Sequence, residues 1–138
     1  MENVLVSNPL LGARSSRASL RVGRVLTGLV VTFLLLDALG KLIPLALVVE
    51  ATGRLGFALG LIRPIGLVLA ASTLLHLLPR TQFVGALLLT AYLGGATATL
   101  VHAGQPFWFP VAMGAILWLA YGLRHPSLRA LFLPPQSR

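Results

Sequence analysis

The chain has no cysteine among its 138 residues, which excludes disulfides, thiolate catalysis, iron–sulfur ligation and thiolate zinc sites together. It is almost as poor in acid: Glu2, Asp37 and Glu50 stand against 11 Lys and Arg, for a formal net charge of +8. Charged residues of all kinds make up 10%, where a soluble domain carries about 25%. Hydrophobic residues reach 57%, and the mean hydropathy is +0.89. A globule of this size with so little polar surface would aggregate, so the bilayer is the natural solvent. The basic residues form no single patch. They lie between or beside apolar runs, which points to membrane orientation and away from nucleic acid.

Four apolar runs approach the ~20 residues that span a hydrocarbon core: 22–43, 57–78, 82–101 and 107–123. Pro44 ends the first and Pro79-Arg80 the second. Pro64 predicts a separate short helix or a kink at the start of the second run. Pro110 falls in the first turn of the fourth, where proline is tolerated. The loops at 78–82 and 102–106 are short enough to make the second, third and fourth runs antiparallel neighbours. The longer loop 44–56 contains "VVEATGRLG", polar enough to lie as an interfacial helix. Arg14, Arg17, Arg21, Arg24, Arg80, Arg124, Arg129 and Arg138 fall on one side, against Arg54 and Arg63 on the other. The positive-inside rule then puts both termini in the cytoplasm. The expected fold is all-α: a transmembrane four-helix bundle (22–124) in the inner cell membrane, between a flexible basic tail (1–21) and a C-terminal tail (125–138). The first tail is Arg/Ser-rich without an apolar core or small-residue cleavage site, so a cytoplasmic tail is expected there in place of a signal or transit peptide.

Two stretches carry candidate chemistry. "LLLDALGKLIP", residues 34–44, sets Asp37 and Lys41 one helical turn apart inside an apolar run, so they can pair. The 13 Leu, Ile, Val and Phe side chains of that run favour insertion by roughly 4–8 kcal/mol. Both charges sit off-centre, about 9 Å and about 3 Å from the outer end at the helical rise. Lys41 can snorkel, and Asp37 can pair with it or with another helix. The pair reads equally as a functional polar site and as a lock that holds the first helix in the bundle. "LLLTAYLGGATATLVHAG", residues 87–104, repeats small residues every four positions: Thr90, Gly94 and Ala98, which run on to His102, and beside them Ala91, Gly95 and Thr99. Helix packing through Thr90, Ala91, Gly94, Gly95 and Ala98 is the expectation, and a binding groove is the alternative. Tyr92 beside that stripe faces either a ligand or a polar partner. His76 and His102 fall near opposite ends of the bundle, about a membrane thickness apart, so no shared metal is expected. Nor is there a nucleophile–His–Asp set or a glycine-rich phosphate loop.

On "LLLDALGKLIP", "VVEATGRLGF", "RPIGLVLAASTLLHLLPRTQFVGALLLTAYLGGATATLVHAGQP" and "LWLAYGLRHPSLRALF", covering residues 22–133, the chain resembles the DoxX-like family of small four-helix membrane proteins. The family takes its name from a subunit linked to quinone-reducing thiosulfate oxidation, and many relatives have no assigned activity. By position, the resemblance implies recurrent polar or small residues at Asp37, Lys41, Glu50, Arg63, Pro79, Arg80, Tyr92, Gly94, Gly95 and Thr99. Relatives commonly read Ala-Thr-His-x-Arg where this chain has Ala98, Thr99, Leu100, Val101, His102. A mechanism that needs that His–Arg pair is therefore not expected here. Together these readings predict a polar cluster of Asp37, Lys41, Glu50, Arg54, Arg63, Tyr92, Thr99 and His102 near the outer face, where a quinone headgroup or partner subunit docks. The expected role is a non-catalytic accessory or anchor subunit of a quinone-linked redox assembly, with quinone as the one candidate cofactor. Its expected partners are lipid and other membrane subunits or further copies of itself. The alternatives are a small transporter or a structural assembly protein without a ligand.

Overall fold

A computed structural model describes residues 17–43 and 45–128. Among them it contains helices and turns and no strand. In chain order the helices are α1 (Arg17–Leu42), α2 (Ala46–Arg54), α3 (Ile62–Leu77), α4 (Gln82–His102) and α5 (Trp108–Arg124), with a 3-10 turn, Leu59–Leu61, leading into α3. Residues 17–21, expected in the tail, are thus helical. Nothing in that basic segment breaks a helix: it lacks proline, and Ala18, Leu20 and Arg17 are good helix formers. The rest of the expected N-terminal tail, and residues 129–138 of the C-terminal one, lie outside the described residues.

Pro64 stands in the first turn of α3, where it withdraws no internal hydrogen bond. The tighter turn ahead of it absorbs the change of direction predicted from the sequence. The loop after Pro44 folds into α2, which turns the connection between α1 and α3 into a fifth helix. Three segments, Arg17–Leu42, Leu59–Leu77 and Gln82–His102, are long and apolar enough to cross a membrane. At 17 residues, α5 is about 25 Å long, somewhat under a ~30 Å hydrocarbon core.

α1 packs against α3 and α5, and α4 packs against the same two, so the four long helices close a ring. α1 turns Gly23, Thr27, Val30, Leu34 and Ala38 inward at spacings of three and four. Its other faces are also apolar: Val22, Val25, Leu29, Leu36 and Leu39 are exposed. A helix apolar all round belongs in lipid. The core joins Val30, Leu34 and Ala38 to Leu69, Leu89, Leu93, Met113 and Leu117, from all four ring helices.

Three glycines let helices approach closely. A Cβ on Gly23 would lie 2.9 Å from Arg124 Cγ and 3.1 Å from the Ala120 carbonyl, so Gly23 sets the approach of α1 to α5. A Cβ on Gly66 would lie 2.7 Å from Lys41 Cβ and 3.1 Å from the Ala38 carbonyl, so Gly66 sets the approach of α3 to α1. A Cβ on Gly85 would lie 2.2 Å from the His76 amide nitrogen, so Gly85 sets the approach of α4 to α3. The expected stripe behaves otherwise. Gly94, Gly95, Ala91 and Ala98 are exposed, and a Cβ on Gly94 or Gly95 would meet nothing within 4 Å. Within this chain the two glycines therefore set no close helix approach. Thr90 alone reaches a neighbour, its hydroxyl accepting from Trp118 Nε1 at 2.9 Å.

Candidate ligand-binding site

Inside the ring, toward the end of α1 that carries Asp37, the helices leave a cavity of about 570 Å³. That lies within the ~300–1,000 Å³ of typical small-molecule sites. Leu34 on α1, Val48 on α2, Leu93 and Leu100 on α4 and Met113 on α5 make most of its wall apolar. Its polar end is built from Asp37, Lys41 and Tyr92. The helical turn between Asp37 and Lys41 brings the ammonium onto Asp37 Oδ1. The Tyr92 hydroxyl, presented by α4 from across the ring, points at Asp37 Oδ2 at 3.4 Å.

The predicted outer-face cluster therefore assembles only in part. Asp37, Lys41, Tyr92 and Thr99 line the cavity. Glu50 and Arg54 do not; they pair with each other at 2.6 Å on α2, with side chains 63% and 76% exposed. Arg63 and His102 are exposed and also stand outside the cavity wall. Of α2, Leu47, Val48, Ala51 and Thr52 line the cavity and the two charged residues do not. Buried Thr52 escaped sequence reading because it sits between those two charges. Breaking an exposed pair of this kind shifts stability by no more than about 0.5 kcal/mol. Glu50→Gln and Arg54→Met are thus expected to unfold within about 2 °C of the parent chain in a detergent melt.

The small-residue stripe supplies the groove that was its alternative reading. Ala91, Gly95 and Thr99 line the cavity, whereas Thr90, Gly94 and Ala98 do not. The Thr99 hydroxyl donates to the Gly95 carbonyl at 2.9 Å and the Thr97 hydroxyl to the Leu93 carbonyl at 2.8 Å, so both bond back along their own helix.

A second polar group, not anticipated from the sequence, closes the other end of the ring. His76 is 1% exposed, and its Nδ1–H donates to the Gln82 backbone carbonyl at 3.0 Å across the α3–α4 turn. With the Gln82 amide turned so that its oxygen faces Arg124, that oxygen accepts from both guanidinium nitrogens at 2.8 and 3.0 Å. The amide nitrogen then donates to His125 Nε2 at 3.0 Å. Arg124 also donates to the Thr27 hydroxyl at 3.2 Å. The start of α1, the α3–α4 turn and the end of α5 are thereby tied together at one end.

Burial, and secondarily the neighbouring Arg124 charge, lowers the His125 pKa below its ordinary 6.5. A base whose folded pKa is lowered stabilises the fold fully above its unfolded pKa, and that contribution is lost as the pH falls below it. His125 faces Gln82 and Tyr121, with Arg124 beside it and His76 behind. The melting midpoint is expected to drop on acidification through about pH 6.5. His125→Gln, which keeps a hydrogen-bonding side chain, should flatten that slope in melts run across the range.

Six of the aromatic residues fall into two groups. Phe107, Trp108 and Phe109 are exposed at the start of α5. Phe83, Trp118 and Tyr121 cluster toward the opposite end, with ring centroids 5.9–6.4 Å apart. Two aromatic girdles at opposite ends are the usual anchors at the two membrane–water interfaces.

The sequence profile of the DoxX-like family matches residues 25–121, a stretch that contains the cavity's polar end. No curated protein and no solved structure gives a significant match.

Proposed function

This chain belongs to the DoxX-like family, and from that premise we propose that it is a non-catalytic accessory or anchor subunit of a quinone-linked redox assembly in the cell membrane. The observation that carries the reading is the cavity: a mostly apolar chamber in which Asp37, Lys41 and Tyr92 come together as a polar group. An amphipathic molecule with a small polar head fits that division of surface. Its side chains can bind and orient a headgroup, and the redox chemistry would belong to the bound quinone and to partner subunits.

The proposed protein crosses the inner membrane four times, with both termini in the cytoplasm. Supporting this, Arg17, Arg21 and Arg24 begin α1, Arg80 lies in the α3–α4 turn and Arg124 ends α5. These are the segments that the Gln82–Arg124–Thr27 contacts gather at one end, and a basic end faces the cytoplasm. The Trp and Phe anchors at the start of α5 would let its shorter length reach the opposite interface. The outward row of Thr90, Gly94 and Ala98 suits close approach by a helix of another subunit or a second copy. The transporter reading is weaker, because Asp37 already has Lys41 one turn away and Tyr92 opposite. A free carboxylate would serve a cation carrier better.

The test is purification from native membranes in mild detergent, with mass spectrometry of the co-purifying proteins and bound lipophiles. Recovery with a quinone and a dehydrogenase or oxidase is the expected result. Recovery alone, with bulk phospholipid only, would overturn the redox-subunit reading.

A further inference from the structure

At the arginine-rich end of the ring one amide serves two neighbours. The Gln82 side chain belongs to a residue only 5% exposed. It stands between Arg124, the last residue of α5, and His125, which follows it. Set one way round, its oxygen accepts from the Arg124 guanidinium at 2.8 and 3.0 Å, and its nitrogen donates to His125 Nε2 at 3.0 Å. Set the other way round, the oxygen accepts from His125 Nε2 at the same 3.0 Å, and the amide nitrogen is turned against the guanidinium. An amide has one oxygen, and Arg124 is a donor at every working pH. The first arrangement therefore requires a neutral His125, with its proton on Nδ1 and Nε2 free to accept.

A proton on Nε2 makes His125 a second donor aimed at the same amide. With the oxygen on Arg124, Nε2–H meets an N–H. With the oxygen on His125, the guanidinium meets that N–H instead and keeps only its bond to the Thr27 hydroxyl at 3.2 Å. No anion at this end takes up the loss. The carboxylates among the described residues, Asp37 and Glu50, pair with Lys41 and Arg54. The other groups that face His125 are the Tyr121 ring of α5, at a centroid distance of 4.4 Å, and His76 of α3. The His76 Nδ1–H is already committed to the Gln82 backbone carbonyl. Arg21 and Arg24 of α1 and Arg80 of the α3–α4 turn are exposed, and they add only positive charge.

We propose that Gln82, Arg124 and His125 form a proton-operated latch, closed while His125 is neutral, which releases the end of α5 from the α3–α4 turn when Nε2 is protonated. The latch answers to the pH on the side of the membrane that the arginine-rich end faces. It gives acidification a discrete structural outcome, a parting of α5 from α4, beyond a loss of stability. It lies away from Asp37 and Lys41 and does not depend on what the cavity binds.

The absence of cysteine lets a single nitroxide be attached through Ser127→Cys, an exposed position two residues beyond His125. Label mobility is read by electron paramagnetic resonance on the full chain in phosphatidylcholine nanodiscs. The two conditions are about pH 7.5 and about pH 5.5, either side of the ordinary histidine pKa of ~6.5. Acidification is expected to raise the ratio of mobile to immobile label reversibly by about tenfold, the loss of one hydrogen bond to a charged group. His125→Gln should keep the label immobile in both conditions, because its amide oxygen accepts from Gln82 at any pH. Gln82→Glu should do the same for the opposite reason: a carboxylate offers one oxygen to Arg124 and another to a protonated His125. Its melting midpoint should also rise on acidification, where that of the parent chain falls. A label that stays immobile on acidification of the parent chain would overturn the latch. So would acid release that survives in His125→Gln, which would place the proton on another group, or a Gln82→Glu melting midpoint that falls as the parent's does.

Discussion

Gly85→Ala is expected to destabilise the protein by about 3 kcal/mol, the upper end of the usual range for overpacking. The added Cβ would lie 2.2 Å from the His76 amide nitrogen and 2.5 Å from its Cα. These are backbone atoms of a packed helix, so no side chain can swing aside to make room. α4 would have to move off α3, and the His76–Gln82 hydrogen bond across their turn would open with it. The matched control lies on the same helix. Gly94→Ala adds a Cβ that meets nothing within 4 Å, and Ala favours a helix over Gly by about 1 kcal/mol. Thermal or SDS unfolding of the two variants should therefore move in opposite directions. A neutral Gly85→Ala would mean that the α3–α4 approach is looser than described.

Lys41→Met is expected to destabilise by about 3 kcal/mol, because removing one member of a buried pair leaves the other uncompensated. The lower end of the usual range applies, since Asp37 keeps 31% of its side-chain exposure. Met preserves the long apolar stem that packs beside Gly66, so the loss isolates the charge. Asp37→Asn/Lys41→Met should recover most of the stability, because two neutral side chains strand no charge. The double-mutant cycle is expected to give a coupling of about 1–3 kcal/mol. Additive losses would mean that the two side chains do not act as a pair.

How much of this was legible in the sequence follows from the solvent. Helix positions were readable because Pro44, Pro79-Arg80 and the Gly104–Pro106 loop interrupt apolar runs of the right length. The Asp37–Lys41 pair was readable because a spacing of four fixes its geometry within one helix. The rotation of each helix about its own axis was not. In water the polar face of a helix marks its outside, but here both faces of α4 are apolar or small, so nothing in "LLLTAYLGGATATL" tells the inward row from the outward one. That is why Ala91 and Gly95 proved to line a cavity while Gly94 and Ala98, equally exposed, do not. The close helix approaches rest on Gly23, Gly66 and Gly85, glycines with no repeat to flag them. The same limit hid the closing network. His76, Gln82 and His125 look unrelated in sequence, and only the ring brings α5 back to the α3–α4 turn. Glu50 and Arg54 erred the other way: they lie close to Lys41 in sequence, but α2 turns them outward onto each other.

The cavity as a ligand site is the central claim, and Gly95→Phe tests it most directly. Gly95 lines the cavity and has open space where its side chain would begin, so a phenyl ring there is expected to fill part of the chamber. Gly94→Phe places the same ring one position away, outside the cavity wall. Both variants and the parent chain would be purified from native membranes and their bound lipophiles quantified by mass spectrometry. The cavity reading predicts a stoichiometric amphipathic molecule on the parent chain and on Gly94→Phe, and its loss from Gly95→Phe. Equal retention by all three, or no retained lipophile on the parent chain, would contradict it.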